Sequence, residues 1–147
     1  MNFPSIGTAL LADRHHSLIE GVRGLLESMF AAVVMVADET SLFESAERLQ
    51  PTVAVVDASL FRSSGTQWLG RLKTLCPDMA LVVLSVHDEE VVRQALLTAG
   101  AEAVVVKRNI ATDLLTAIEA ALRKRSEDHC SHSLNKIPAS THKEPIV

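Results

Sequence analysis

Five short apolar segments recur along the chain, and each is followed by a stretch in which apolar residues have helical spacing. The segments are rich in valine, leucine and alanine and carry no charge in their interiors. They are residues 9–12, 32–36, 53–56, 80–84 and 103–106. A run that is apolar on both faces is typical of a strand in a parallel sheet covered by helices. The alternation predicts an α/β fold.

Helix starts and ends can be predicted from residues between the strands. Ser17 with Glu20, and Ser41 with Glu44, have the spacing of a capping box, so both serines are predicted to be N-caps. Gly100 follows the fourth helical stretch and is predicted to end it. These signals predict one helix after each strand.

Five strand–helix units with right-handed crossovers predict a doubly wound, five-stranded parallel sheet with the strand order 2-1-3-4-5. Helices should cover both faces in three layers, two on one face and three on the other. Residues 1–125 are predicted to form this domain. Residues 126–147 are polar and aperiodic, and are predicted to be a flexible tail.

Composition and charge exclude several function classes. The formal net charge is −4 and aromatic residues are only 3%, which argues against direct nucleic-acid binding through a basic face or stacked rings. The N-terminus lacks the features of a signal peptide, and no apolar run is long enough to span a membrane. The chain is therefore predicted to be cytoplasmic, with no membrane association.

Polar residues follow four of the predicted strands: Asp13, Asp57, Ser85 and Lys107. Ligands of such sheets bind outside the carboxyl ends of the strands, so these side chains should share one rim. Lys107 is expected within about 6 Å of Asp57, on the order of two hydrogen-bond lengths. Two carboxylates, a hydroxyl and an ammonium suit a phosphoryl group.

The turn after the first strand decides how a phosphoryl group would be held. It contains Asp13, Arg14 and two histidines rather than glycines, which excludes a dinucleotide-binding turn and a P-loop. An aspartate can instead accept the phosphoryl group covalently as an acyl phosphate.

Together these segments resemble the receiver domain of two-component response regulators, over roughly residues 6–124. The matching segments are residues 10–15, residues 55–60 with Gly65, residues 83–85, and residues 99–103 leading to Lys107. Residues 20–27 are similar to receivers that precede a helix-turn-helix DNA-binding domain of the LuxR type.

The resemblance implies a role for each residue of the rim. Asp57 would be the phosphoacceptor, Ser85 the switch hydroxyl and Lys107 the lysine that contacts the phosphoryl group. Asp13, Asp57 and the backbone carbonyl of Ser59 would bind Mg²⁺. The implied partners are a sensor histidine kinase and a second copy of the chain in a weak homodimer, and the protein would not be a metabolic enzyme.

Departures from the family pattern leave two functions open. Arg14 stands where the family has a second acidic residue, so Mg²⁺ binding is expected to be weak. Arg14 either points inward and pairs with Asp57 or points outward as a surface charge. Val104 replaces the usual aromatic residue, and Phe61 replaces a proline. The alternative function is a pseudo-receiver, a protein-interaction module that does not use phosphorylation.

Overall fold

The computed structural model describes residues 7–14, 16–61 and 65–124. Its strands are β1 (Thr8–Ala12), β2 (Ala32–Val36), β3 (Val53–Asp57), β4 (Ala80–Ser85) and β5 (Ala103–Val106). They form one sheet in the order β2-β1-β3-β4-β5, and every strand pair is parallel. The predicted sheet and its strand order are therefore confirmed.

Within the described residues, five helices cover the two faces of the sheet. They are α1 (His16–Glu27), α2 (Glu39–Leu49), α3 (Gln67–Leu75), α4 (Glu90–Ala99) and α5 (residues 110–124). Helices α1 and α5 pack on one face, and α2, α3 and α4 pack on the other. The predicted division of two and three helices is confirmed.

The strands are apolar throughout because each face of the sheet has its own core. Leu10 and Val56 point into the core under α2, α3 and α4, whereas Leu11 and Val55 point into the core under α1 and α5. All four side chains are fully buried. Burial of one such side chain stabilises the fold by about 1.5–3 kcal/mol.

Both predicted N-caps are wrong. Helix α2 begins at Glu39, and its N-cap is Asp38, whose carboxylate accepts a hydrogen bond of 2.8 Å from the Ser41 N–H. Helix α1 begins at His16, which places Ser17 inside the helix. Asp38 stands three residues before Ser41, so an aspartate cap one turn earlier is an equally good capping pattern. Gly100 does end α4, and its φ of 131° confirms the prediction.

The register of the sheet brings the carboxyl ends of β3, β4 and β5 to one edge. Asp57 lies beside Leu84 of β4, and Ser85 lies beside Val106 of β5. Lys107 follows directly and begins a short 3-10 turn, Lys107–Asn109. The rim predicted from the sequence is thus an edge of the folded sheet.

Two further predictions concern a C-terminal tail and the absence of a membrane-crossing segment. The predicted tail, residues 126–147, lies outside the described residues. Across the described part of the chain, no helix has the length and apolarity that a membrane crossing requires.

Candidate functional site

Asp57 is the last residue of β3, and its carboxylate is fully buried. Its contacts among the described residues include hydrogen bonds from Ser59 and Lys107. The Ser59 N–H donates to Oδ1 at 3.0 Å, the Ser59 hydroxyl donates to Oδ2 at 2.9 Å, and Lys107 Nζ donates to Oδ2 at 2.8 Å. Ser59 can reach back because residues Ala58–Leu60 form a 3-10 turn directly after the strand.

Lys107 joins Asp57 to the second predicted carboxylate. Its ammonium lies 2.8 Å from Asp57 Oδ2 and 3.3 Å from Asp13 Oδ2. Asp13 follows β1 and is buried, with its backbone N–H donating to the Val36 carbonyl at 3.1 Å. The predicted approach of Lys107 to Asp57 is confirmed, and the three side chains form one charged cluster.

The charge state of Asp57 follows from these contacts. Burial by itself raises the pKa of a carboxyl group because the charged form loses its hydration. The hydrogen bond and charge of Lys107, with the hydrogen bonds from Ser59, outweigh burial and hold the pKa of Asp57 below its ordinary value. Asp57 is therefore ionised at neutral pH, as a nucleophile must be.

Ser85 lies at the same edge but is bound to its own loop. The His87 N–H donates to Ser85 Oγ at 3.0 Å, and the Ser85 hydroxyl donates to the His87 carbonyl at 3.2 Å. The serine itself is buried. The structure therefore brings Ser85 to the predicted edge of the sheet with its hydroxyl directed to the backbone of the β4–α4 segment.

Arg14 is exposed to solvent. Of the two alternatives for this side chain, the structure favours the outward one, because Arg14 is exposed whereas Asp57 is fully buried. The exposure of Arg14 does not support the inward alternative, in which its guanidinium pairs with Asp57. Arg14 therefore places a positive charge at the surface, directly after Asp13 in the chain.

The oxygen atoms at this edge allow a test of the predicted magnesium site. Mg²⁺ commonly binds through one or two carboxylates and completes its coordination with waters and substrate phosphate oxygens. Asp13 and Asp57 supply two carboxylates, so the donor set suits Mg²⁺ in this reduced form. Among the described residues, no group of three or more His, Cys, Asp or Glu side chains is arranged to hold a metal ion.

A second ion pair, which was not expected from the sequence, lies beside this cluster. Arg108, next to Lys107, donates to the carboxylate of Asp88 in the segment between β4 and α4. Periodicity carries no signal for such a pair, because its members lie in two connections that only the folded sheet brings together. The register of β4 against β5 is the one feature from which it could have been expected.

Phe61, four residues after Asp57, is buried by aromatic packing. Its ring stacks on Trp68 of α3 with centroids 4.2 Å apart and an interplanar angle of 6°. It also meets Phe43 of α2 edge-on at 6.1 Å. The aromatic residue thus anchors the connection after the phosphoacceptor candidate to two helices. Val104, on β5, is half-buried and packs against the core on that face.

Two curated proteins are similar to this chain over most of its length. The transcriptional regulatory protein DegU of Brevibacillus brevis is 28% identical over 131 residues, which cover 86% of this chain and 56% of that protein. The transcriptional regulatory protein RcsB of Escherichia coli K12 is 28% identical over 138 residues, covering 88% of this chain and 63% of RcsB. The chain thus spans less than two thirds of either relative.

Solved structures share the fold. A LuxR-family two-component response regulator from Aurantimonas sp. SI85-9A1 is 25% identical with a TM-score of 0.73, covering 82% of this chain and 88% of that one. A CheY-like receiver domain protein from Methanospirillum hungatei JF-1 is 22% identical, has the same TM-score of 0.73, and is covered over 99% of its length by 84% of this chain. Because the Methanospirillum protein is only 22% identical, its similarity to this chain supports the fold alone.

The family assignment depends on a match to a protein family as a whole. Residues 9–119 match the response regulator receiver domain, and this range contains the whole sheet from Ala9 onwards and all of the charged cluster. The relatives include transcriptional regulators and a LuxR-family protein, in agreement with the resemblance of residues 20–27. The chain therefore belongs to the response regulator receiver family.

Proposed function

We propose that this receiver accepts a phosphoryl group on Asp57 from a sensor histidine kinase and thereby switches its contacts with other proteins. The observation that carries the proposal is the Asp57 carboxylate at the carboxyl edge of the sheet, 2.8 Å from the Lys107 ammonium. An ionised carboxylate beside a fixed cation combines a nucleophile with a group that neutralises incoming negative charge.

The transfer proposed here involves the donor, the acceptor and one proton, which the leaving imidazole takes up from solvent. An oxygen of the Asp57 carboxylate attacks phosphorus, the new P–O bond forms, and the P–N bond of the donor phosphohistidine breaks with its electron pair staying on the imidazole. Lys107 then contacts the phosphoryl oxygens, whose charge replaces that of the carboxylate. The Ser85 hydroxyl donates to a phosphoryl oxygen after it leaves the His87 carbonyl.

Asp13, Asp57 and the backbone carbonyl of Ser59 would hold Mg²⁺ in this scheme. When bound, the ion neutralises charge on the phosphoryl oxygens during transfer. Arg14 lowers the affinity, because it adds positive charge at the surface where a further carboxylate would attract the ion. Weak magnesium binding is therefore part of the proposal.

The pseudo-receiver remains the second candidate, and two observations favour it. Arg14 is an exposed cation at a position where an acid would complete a metal pocket. Val104 is an aliphatic residue that packs against the core in place of the usual aromatic residue. In that case Asp57 and Lys107 would form a structural ion pair. The two candidates differ in one measurable property, namely whether Asp57 takes up phosphoryl.

The cellular setting proposed for the chain follows from its family. It acts in the cytoplasm as a signalling switch and not as an enzyme of metabolism, and it does not itself bind DNA. It pairs weakly with a second copy through α1 and α5 or through the α4–α5 face. Sedimentation at high micromolar concentration should show a dimer, and a purely monomeric protein, with and without a phosphoryl analogue, would contradict this pairing.

Intact-protein mass spectrometry after incubation with a small acyl phosphate tests the main proposal, with and without Mg²⁺. The unmodified protein should gain the mass of one phosphoryl group, and Asp57→Asn should gain none. Asp113→Asn, which neutralises an exposed carboxylate on α5, is the matched control and should behave like the unmodified protein. Uptake of phosphoryl by Asp57→Asn would show that Asp57 is not the acceptor. No uptake by any of the three proteins would favour the pseudo-receiver function.

A further inference from the structure

An exposed ion pair joins the two segments that leave β4 and β5 at the carboxyl edge. Arg108 Nη2 donates to Asp88 Oδ2, and the two side chains are 62% and 52% exposed. The pair takes no part in the phosphoryl transfer proposed above. Its position is nevertheless adjacent to that chemistry, because Arg108 follows Lys107 and Asp88 lies three residues after Ser85.

Ser85 is occupied in this arrangement. Its oxygen accepts from the His87 N–H at 3.0 Å, and its hydroxyl donates to the His87 carbonyl at 3.2 Å. A hydroxyl has a single proton, so it can donate to a phosphoryl oxygen only after it releases His87. When the hydroxyl turns toward Asp57, the segment between Ser85 and Asp88 loses contacts that hold His87, the residue next to Asp88, and becomes free to shift.

We propose that the Asp88–Arg108 ion pair is an electrostatic latch that holds Ser85 on His87 and opposes the phosphoryl-bound arrangement of this edge. The inference rests on the proposed function of Asp57. Asp88 tethers the segment that carries the Ser85–His87 contacts, and Arg108 tethers it to the turn that begins with Lys107. Opening the latch frees the β4–α4 segment to move while Lys107 stays on the two carboxylates.

The solvent exposure of the Asp88 and Arg108 side chains limits how strongly the latch can hold Ser85 on His87. Ion pairs between exposed side chains shift an equilibrium by about two- to fivefold, and salt screens them. The latch therefore shifts the equilibrium between the two arrangements of this edge without preventing the phosphoryl-bound one. A phosphoryl group on Asp57 overcomes it readily, and the bias weakens as ionic strength rises.

Amide hydrogen exchange in the unphosphorylated protein tests the hold on Ser85 directly. Arg108→Gln should raise the exchange rate of the His87 amide about two- to fivefold. Arg93→Gln is the matched control, because Arg93 is 50% exposed and pairs at 3.6 Å with Glu90 on the same side of the fold. The double variant Asp88→Arg with Arg108→Asp reverses the pair and should restore the slow exchange.

Binding of beryllofluoride, a phosphoryl analogue, tests the link to Asp57. Arg108→Gln should bind it about two- to fivefold more tightly than the unmodified protein, and the charge-exchanged double variant should return to the original affinity. Added salt should reduce the difference between Arg108→Gln and the unmodified protein.

Three outcomes separate the possibilities. If His87 exchange in Arg108→Gln equals that in Arg93→Gln, the latch is refuted whatever beryllofluoride does. If exchange rises but both proteins bind the analogue equally, the ion pair holds Ser85 without opposing the phosphoryl state, and the proposal is overturned. If neither protein binds the analogue, the function proposed for Asp57 fails, and exchange alone then decides whether the pair holds Ser85.

Discussion

Two lysine–carboxylate clusters lie at opposite edges of the same sheet, and they differ in charge balance. At the amino edge, Lys73 of α3 lies 2.8 Å from Glu102, which precedes β5. At the carboxyl edge, Lys107 serves both Asp13 and Asp57 at 3.3 and 2.8 Å. In the ion pairs seen among the described residues, the amino-edge cluster joins one cation to one anion, and the carboxyl-edge cluster places one cation between two anions.

The hydrogen-bond partners of Glu102 and Lys73 indicate a structural role for the amino-edge cluster. Glu102 also accepts a hydrogen bond of 2.8 Å from the Leu81 N–H, while its own N–H donates to the Leu81 carbonyl at 2.8 Å. Lys73 donates in addition to the Met79 carbonyl. These contacts fasten α3 and β5 to the start of β4. The amino-edge cluster therefore acts as a structural clamp, whereas two carboxylates that share Lys107 suit a site that takes up a cation or exchanges charge.

Lys107→Met is expected to have the largest effect, because it leaves two carboxylates buried near each other without their cation. Removing one member of a buried ion pair costs about 3–5 kcal/mol, so the free energy of unfolding at neutral pH should fall by that amount. Denaturant unfolding of the variant and the unmodified protein gives this number. A change below about 1 kcal/mol, as for exposed pairs, would show that Lys107 contributes little to folding.

The pH dependence of this loss has a definite sign. In the unmodified protein, the depressed pKa of Asp57 contributes stability that is present above the unfolded value of 3.8 and lost as pH falls through the folded value. Without Lys107, burial dominates and raises the pKa, so acid neutralises the carboxyl group and removes the penalty. The deficit of Lys107→Met should therefore shrink between neutral pH and about pH 4. A deficit that is constant with pH would contradict this account of Asp57.

Lys73→Met should have a smaller effect at the other edge. Glu102 keeps its hydrogen bond from Leu81, so the loss should be about 1–3 kcal/mol. Phosphoryl uptake by Asp57 should be unchanged when measured well below the unfolding transition, because the length of β4 separates the two edges. A parallel loss of uptake would mean that the two edges are coupled and that the amino-edge cluster is not simply structural.

Arg14→Asp should have the smallest effect and act on the carboxyl edge alone. The change replaces an exposed cation by a third carboxylate, which should strengthen Mg²⁺ binding by about 1 kcal/mol, roughly fivefold. Calorimetric titration measures the affinity, and acyl-phosphate formation on Asp57 should become faster. Arg23→Asp on the exposed surface of α1 carries the same charge change and serves as the control. Equal Mg²⁺ affinity in both variants would show that Arg14 is only a surface residue.

The carboxyl edge could be predicted from the sequence because parallel strands impose it. Asp13, Asp57 and Lys107 each follow a buried apolar run, and strand order then determines which run ends beside which. The contact of Lys107 with both carboxylates follows from that order and from the length of a lysine side chain. Ser85 was placed at the correct edge for the same reason, although its bond to His87 was not expected.

The ion pair between Lys73 and Glu102 at the amino edge could not be predicted in this way. Glu102 and Lys73 are 29 residues apart, and each looks like an ordinary surface charge in its own segment. Their pairing depends on how α3 sits against the sheet, which no local pattern encodes. Gly100 belongs to the same arrangement, because a Cβ there would lie 3.4 Å from Lys73 Cγ. The start of α2 was missed for a different reason, since serine and aspartate caps compete within one turn.

The aromatic stack of Phe61 on Trp68 has an optical consequence. The chain contains a single tryptophan and no tyrosine, so its long-wavelength ultraviolet emission arises from one ring. That ring is buried and lies face to face with the residue four positions beyond Asp57. Any change of backbone around Asp57 that tilts Phe61 alters the surroundings of this one fluorophore. The protein thus carries a built-in emission probe of the segment after its phosphoacceptor candidate, and that segment can be followed in real time without an added dye.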